Sequence, residues 1–377
     1  MANIIDYVEW RGDLNLNKTE FNEIDSLILN RFSYFPLDNL INKNEMVSIK
    51  ELSERFKKAD KKQMRILWKD DADLFPIMGN SKRFGEMLAL EYINKIDPEQ
   101  EKQFSAITVI LPDDTLYISY RGTDNTLIGW KEDFNISFKS HIASQISAKK
   151  YLENIAKKYP YKKIRIGGHS KGGNLAVYAS VFVDSEIQKR IINVYNNDGP
   201  GFHEDIINTE EYKRVINKVT TYIPQDSIFG MLLNHEEKYT IVQSNEKGLM
   251  EHDAYSWQVL GKKFVVLKEV TNESKFIDKT IKNWLKDLDM DTRQQVIDIV
   301  FEILNSTNSK TIQDLKFSLV KNARIILSSY KQITPENKKM IEATVTALLG
   351  IVKENVKEEY KNNINKEKEN LWKKTIN

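Results

Sequence analysis

The sequence predicts an α/β fold, with a mostly parallel central sheet flanked by helices. Three observations carry this. Residues 162–180, KKIRIGGHSKGGNLAVYAS, read as a short buried strand, a tight turn and a helix. Residues 103–120 hold two runs rich in β-branched and aromatic residues, FSAITVIL and TLYISY, separated by Pro112-Asp113-Asp114 as in a hairpin. Further on, 191–195, 215–224 and 239–244 read as more strands, each followed by a loop.

The chain divides into three parts. Residues 1–100 read as an N-terminal helical arm packed on the core. In FNEIDSLILNRFSYF, Phe21, Ile24, Leu27, Ile28 and Phe32 recur at helical spacing. Residues 45–68 repeat the pattern with Val47, Ile49, Leu52 and Phe56, and Arg83–Ile96 reads as another helix. Residues 101–275 form the core, with a helix over Ser144–Tyr159. Residues 276–377 read as a C-terminal helical appendage beginning near Thr271-Asn272-Glu273. There Ile277, Ile281, Leu285 and Leu288, then Val296, Ile299, Val300 and Leu304, keep helical spacing. A third helix spans Ile325–Tyr330, and a fourth starts at Pro335 and runs through Ile341, Val345, Leu348, Val352 and Val356. The polar tail after Tyr360 is expected to fray. The appendage reads as packing or a cap, with contact to a membrane surface or a protein partner as the other reading.

Composition narrows the function. With 377 residues the chain can bury a large core. Its 56 basic and 54 acidic residues leave a net charge of +2, which implies no nucleic-acid partner. Without cysteine there is no disulfide framework, thiolate metal site or cysteine nucleophile. The start MANIIDYVEWRGDLNL lacks the basic and apolar pattern of a signal peptide, and no apolar run is long enough to span a bilayer. The expectation is a soluble cytoplasmic protein.

Gly168-His169-Ser170-Lys171-Gly172 is a G-x-S-x-G between strand and helix, the context of a nucleophile elbow. The strained turn lifts the Ser170 hydroxyl off the sheet, and crowding excludes a Cβ two residues to either side. The following helix N-terminus aims N–H groups at negative charge forming near Ser170.

Y-R-G-T at 120–123, then W-x-x-D-F at 130–134 and the G-H-S-x-G together resemble the class-three, fungal-type triacylglycerol lipases of the α/β-hydrolase fold. With DYVEWRGDL, GHSKGGNLA, YNNDGPGF and QDSIFGMLL, the pattern over roughly residues 1–270 also resembles a bacterial lipase-like family of unassigned function. The resemblance implies a serine hydrolase whose acid follows the serine and whose histidine follows the acid. It also implies an oxyanion hole made by the backbone N–H groups of Lys171 and Thr123, to which the Thr123 hydroxyl adds a third donor. Trp130 and Asp133 are expected to fix the loop, and the Lys171 side chain to be solvated.

Of five histidines, His141 and His169 precede the serine, and His203 comes too early. His235 sits in charged LLNHEEKY and reads as a surface residue. His252 remains as the base, with Trp257 after it as in lipase-like chains. For the acid the choice lies between Asp198 and Asp226. Asp198 precedes Gly199-Pro200-Gly201, where an aspartate commonly bonds its own backbone. Asp226 follows a strand end, so the expected triad is Ser170, Asp226 and His252. Such a site hydrolyses a carboxylic ester, expected to be of a lipid, through an acyl-enzyme, and needs neither metal nor organic cofactor. The competing readings are thioester or amide hydrolysis at the same site, and a catalytically silent relative used for binding or scaffolding.

Overall fold

Strand β3 (Lys102–Ile110) is buried along nearly its whole length, the mark of a strand covered on both faces. In this computed structural model it lies third in a nine-stranded sheet of order β1-β2-β3-β4-β5-β6-β7-β8-β11. The structure describes residues 1–271, 274–275, 290–311, 314, 319–332, 334–335, 338–339 and 342. The other strands of the sheet are β1 (Met46–Ser48), β2 (Leu88–Asp97), β4 (Leu116–Tyr120), β5 (Ile164–His169), β6 (Ile191–Asn197), β7 (Val219–Pro224), β8 (Tyr239–Val242) and β11 (Val266–Leu267). From β1 to β4 the pairing is antiparallel, with Ile110 opposite Leu116 across the expected hairpin. From β4 to β8 it is parallel, and β11 closes the edge antiparallel to β8. The short strands β9 (Val259–Leu260) and β10 (Lys263–Phe264) form a separate pair.

Alternation along β3 and β4 sends side chains to two cores. Phe104, Ala106, Leu116, Ile118 and Tyr120 pack with α6 (Ala143–Lys158) and α7 (Lys171–Phe182). Ile107, Val109 and Tyr117 face the opposite layer. That layer is built by α1 (Ile4–Arg11), α2 (Glu23–Phe32), α3 (Ile49–Lys58) and α4 (Lys69–Asn80). The apolar stripe of α2 is buried as its spacing requires, and Asn22 caps its start. The sheet is mixed, with four parallel pairings and four antiparallel ones, where a mostly parallel sheet was expected. Its parallel half, with helices on both faces and a strand–elbow–helix at β5–α7, is the α/β-hydrolase fold.

One expected helix is a strand. Within Arg83–Ile96, residues from Leu88 onward form β2. A bulge between Leu90 and Ile93, with Glu91 at φ 54°, breaks the two-residue alternation. It leaves Leu90, Ile93 and Ile96 three apart, which mimics a helical stripe. Residues 45–68 likewise divide into β1, α3 and a 3₁₀ turn at Lys61–Gln63.

The chain splits into two compact units, residues 1–282 with 310–314, and residues 283–309 with 315–377. The second contains helices Met290–Asn305 and Leu319–Gln332, which cover the expected apolar positions from Val296 to Leu304 and from Ile325 to Tyr330. Ser306 Oγ lies 3.1 Å from Ser329 Oγ between them. The expected helical positions Ile277–Leu288 and Ile341–Val356, and the tail after Tyr360, lie outside the described residues. Among the described residues no helix is long and apolar enough to cross a membrane.

Candidate active site

Ser170 sits between β5 and α7 with φ 59° and ψ −136°, a conformation rare for a residue with a side chain. Its flanking glycines are obligatory. A Cβ on Gly168 would lie 2.1 Å from the Gly172 carbonyl, and one on Gly172 would lie 2.1 Å from Tyr120 O. Ser170 N–H is tied to Asn197 O at 2.8 Å, which brings the elbow beside the end of β6. Its side chain makes no cap to α7.

The residue after β6 is Asp198, fully buried and at φ 53°. Its Oδ2 lies 2.6 Å from His252 Nδ1. Its Oδ1 accepts the Ser227 hydroxyl and, at 3.1 Å, the Gly230 N–H. With Nδ1–H donating to this carboxylate, His252 Nε2 is left as a base. Ser170 Oγ makes no hydrogen bond to it among the described contacts. Such bonds commonly form only with substrate in place.

The structure therefore pairs His252 with Asp198, and the expected partner Asp226 is engaged elsewhere. Asp226 Oδ1 accepts the Thr271 hydroxyl and Oδ2 accepts Gly248 N–H at 3.2 Å, while Asp226 N–H donates to Glu251 Oε2 at 2.7 Å. The contacts with Gly248 and Glu251 tie Asp226 to the segment that leads into His252, without reaching the imidazole. The turn bonds expected of Asp198 are made by Asn196, whose Oδ1 accepts Gly199 N–H at 2.9 Å.

Two neighbours fix His252. His169 Nε2 lies 2.7 Å from the His252 carbonyl oxygen, and the two rings are 4.7 Å apart. The Phe229 ring lies 4.3 Å from the imidazole. Burial, with the nearby His252 and Arg31, holds His169 well below the usual histidine range, so it is neutral and its Nε2–H donates. Below it, buried Trp257 donates Nε1–H to Glu251 O at 2.9 Å and anchors the loop.

Thr123 follows β4 on a loop backed against the elbow. A Cβ on Gly122 would lie 3.0 Å from Ser170 Cβ, so the close approach requires glycine there. Gly122 N–H donates to Tyr34 Oη at 2.9 Å and Asp124 N–H to Gln103 Oε1 at 3.4 Å. Thr123 N–H, between them, has no acceptor among the described residues. The Thr123 hydroxyl donates to Asp133 Oδ1, so it is committed to the loop and is not the free third donor expected. Burial pushes the Asp133 carboxyl up to about 6, against the opposing pull of Lys171 and of the Thr123 bond.

Two further expectations are corrected. The Lys171 side chain is buried, with Nζ 2.9 Å from Glu132 Oε2. The His235 side chain is largely buried, its Nδ1 3.0 Å from Glu237 Oε1, and burial of both explains why a charged stretch does not make it a surface residue. Tyr34, which no sequence signal singled out, donates to His169 O at 3.1 Å while accepting from Gly122. Among the described residues no cluster of three or more histidines or carboxylates could hold a metal ion.

No curated protein matches the chain. Among solved structures it is similar to a lipase from Rhizopus microsporus var. chinensis, at 13% identity and TM-score 0.36, over 66% of this chain and 81% of that one. It is similar to a Rhizomucor miehei lipase in complex with its propeptide, at 14% identity and TM-score 0.32, over 43% of this chain and 58%, less than two thirds, of that one. Lip2 lipase from Yarrowia lipolytica matches at 12% identity and TM-score 0.32, over 50% and 72%. The Mbeg1-like family model matches residues 78–302, more than half of the sequence. The chain belongs to the Mbeg1-like family.

Proposed function

We propose that the chain is a serine hydrolase that cleaves a carboxylic ester, with Ser170 as nucleophile, His252 as base and Asp198 as the orienting acid. The observation that carries this reading is the 2.6 Å contact between His252 Nδ1 and Asp198 Oδ2 beside a strained elbow serine. A turn of that kind and a buried, triply bonded aspartate are costly features that packing alone does not ask for.

In this reading Ser170 Oγ attacks the ester carbonyl carbon as His252 Nε2 takes the hydroxyl proton. Asp198 holds the tautomer and offsets the imidazolium charge. The carbonyl oxygen becomes an oxyanion that accepts from Lys171 N–H and Thr123 N–H. Collapse breaks the bond to the alcohol, which leaves with the proton from His252. Water then repeats the sequence on the acyl-enzyme, releasing the acid and restoring the serine.

A lipid ester is supported by the apolar side chains near these groups. Trp130 lies on α5 (Leu127–Ile136) with Asp133, and Leu249 and Met250 lead into His252; all three are exposed. Exposed apolar side chains on these two segments suit an acyl chain.

A fluorophosphonate probe tests the proposal. Native protein should be labelled once, at Ser170, and Ser170→Ala should abolish labelling. Esters of graded chain length then separate lipase-like from short-chain preference. A folded protein that stays unlabelled would point to a binding role instead.

A further inference from the structure

Lys171 directly follows the nucleophile, yet its side chain is among the more enclosed charges of the molecule, with 1% of it exposed. Nζ lies 2.9 Å from Glu132 Oε2 and 3.0 Å from both Gln103 O and Gln103 Oε1. It is 4.0 Å from Asp133 Oδ1. Glu132, equally buried, also accepts Gln103 N–H at 3.0 Å, Ser144 N–H at 2.9 Å and the Ser144 hydroxyl at 2.7 Å. A cation at the head of a helix opposes the helix dipole, and a buried ion pair seldom stabilises more than an apolar pair of similar size. Stability alone is a weak reason for this arrangement.

What the contact joins is specific. The backbone of Lys171 lies on the elbow side of the site. Its side chain reaches α5, which carries Glu132 and Asp133 in succession. Asp133 in turn accepts the Thr123 hydroxyl and so anchors the loop on the other side. The path from Lys171 to Asp133 to Thr123 thus connects the two segments that present the N–H donors.

We propose that Lys171 is a positioning residue for ester cleavage. Its ammonium, paired with Glu132, ties α5 and the Thr123 loop to the elbow, so that both oxyanion donors are presented as one rigid unit. The ammonium also offsets the two adjacent carboxylates, which would otherwise oppose an oxyanion forming nearby. The inference rests on the serine-hydrolase reading above.

The test uses the double variant Lys171→Met/Glu132→Gln, which keeps the backbone amide and removes both charges of the buried pair. It leaves one amide oxygen to accept Gln103 N–H and the Ser144 hydroxyl, at the loss of the acceptor for Ser144 N–H. Wild type is first labelled by fluorophosphonate and assayed on a p-nitrophenyl ester; failure there rejects the hydrolase reading itself. Given an active wild type, the double variant should melt close to wild type, keep KM within about twofold and lose about 10- to 100-fold in kcat. Lys171→Arg should recover part of that loss. A folded double variant with wild-type kcat would overturn the proposal. So would a double variant that no longer folds, because Lys171 would then be a folding residue.

Discussion

Asn196 Oδ1 accepts the Gly199 N–H at 2.9 Å, and Asn196 Nδ2 returns a bond to Gly199 O at 3.3 Å. The turn after β6 is closed by a side chain two residues ahead of Asp198. Asp198 is thereby released from the local bonding that its Asp-Gly-Pro-Gly context suggests. Its carboxylate faces His252, Ser227 and Gly230 instead. Loss of the Asn196 side chain should disturb Asp198 indirectly. Asn196→Ala is expected to lower kcat together with melting temperature, whereas Asn196→Asp, which keeps an acceptor for Gly199, should lower both less. Equal losses in the two variants would mean that the turn bond does not matter.

Tyr34 joins two parts of the site, since its hydroxyl accepts Gly122 N–H and donates to His169 O. Tyr34→Phe leaves a buried N–H without an acceptor, at a cost of about 1–3 kcal/mol. The Thr123 loop is expected to loosen, with kcat falling by about tenfold. Thermal melting and steady-state kinetics on the same preparation check this. No change in either would reduce Tyr34 to a space-filling ring.

Thr123 is expected to act through its amide, with its hydroxyl holding the loop to Asp133. Thr123→Val, close in shape, should lower kcat far more than it raises KM, and Thr123→Ser should be mild. A Val variant with full kcat would show that the Asp133 anchor is dispensable.

Glu251 gives the pH dependence a sign. It is fully buried, and burial pushes its carboxyl up to about 8, with the nearby Asp226 charge adding to that push against the Asp226 N–H bond. The folded state therefore holds this proton more tightly than the unfolded chain, where a glutamate titrates near its ordinary 4.5. Glu251 favours folding most below about pH 4.5, and this contribution is lost as pH rises towards 8. Across that window the loss is on the order of a few kcal/mol. Glu251→Gln removes the slope, so it should match wild type near pH 5 and exceed it in melting temperature near pH 8. Parallel stability curves for the two proteins would reject this assignment.

The elbow was legible because its chemistry is local. Two glycines, a serine, a strand before and a helix after fall within one short stretch, and each has a steric reason. The β3–β4 hairpin and the buried stripe of α2 were legible for the same reason, since a period of two or of 3.6 survives in the sequence. The bulge in β2 was not, because an extra residue converts an alternating pattern into one with helical spacing. Lys171 and His235 were misread because charged neighbours signal a surface only when no buried partner is waiting. Glu132 and Glu237 are such partners, 39 and 2 residues away in sequence. The pairing of His252 with Asp198 was not legible for a related reason: the turn bond expected of Asp198 is made by the Asn196 side chain, and nothing in the local pattern distinguishes the two.

The account is tested most directly by comparing turnover in Asp198→Asn and Asp226→Asn, with Ser170→Ala as the blank. Asp198→Asn should stay folded and lose on the order of ten-thousandfold in kcat, because the histidine loses its orienting carboxylate. Asp226→Asn should keep most of its kcat and lose melting temperature, because it weakens the bonds to Thr271 and Gly248. Full turnover in folded Asp198→Asn, with turnover lost in Asp226→Asn, would contradict the account.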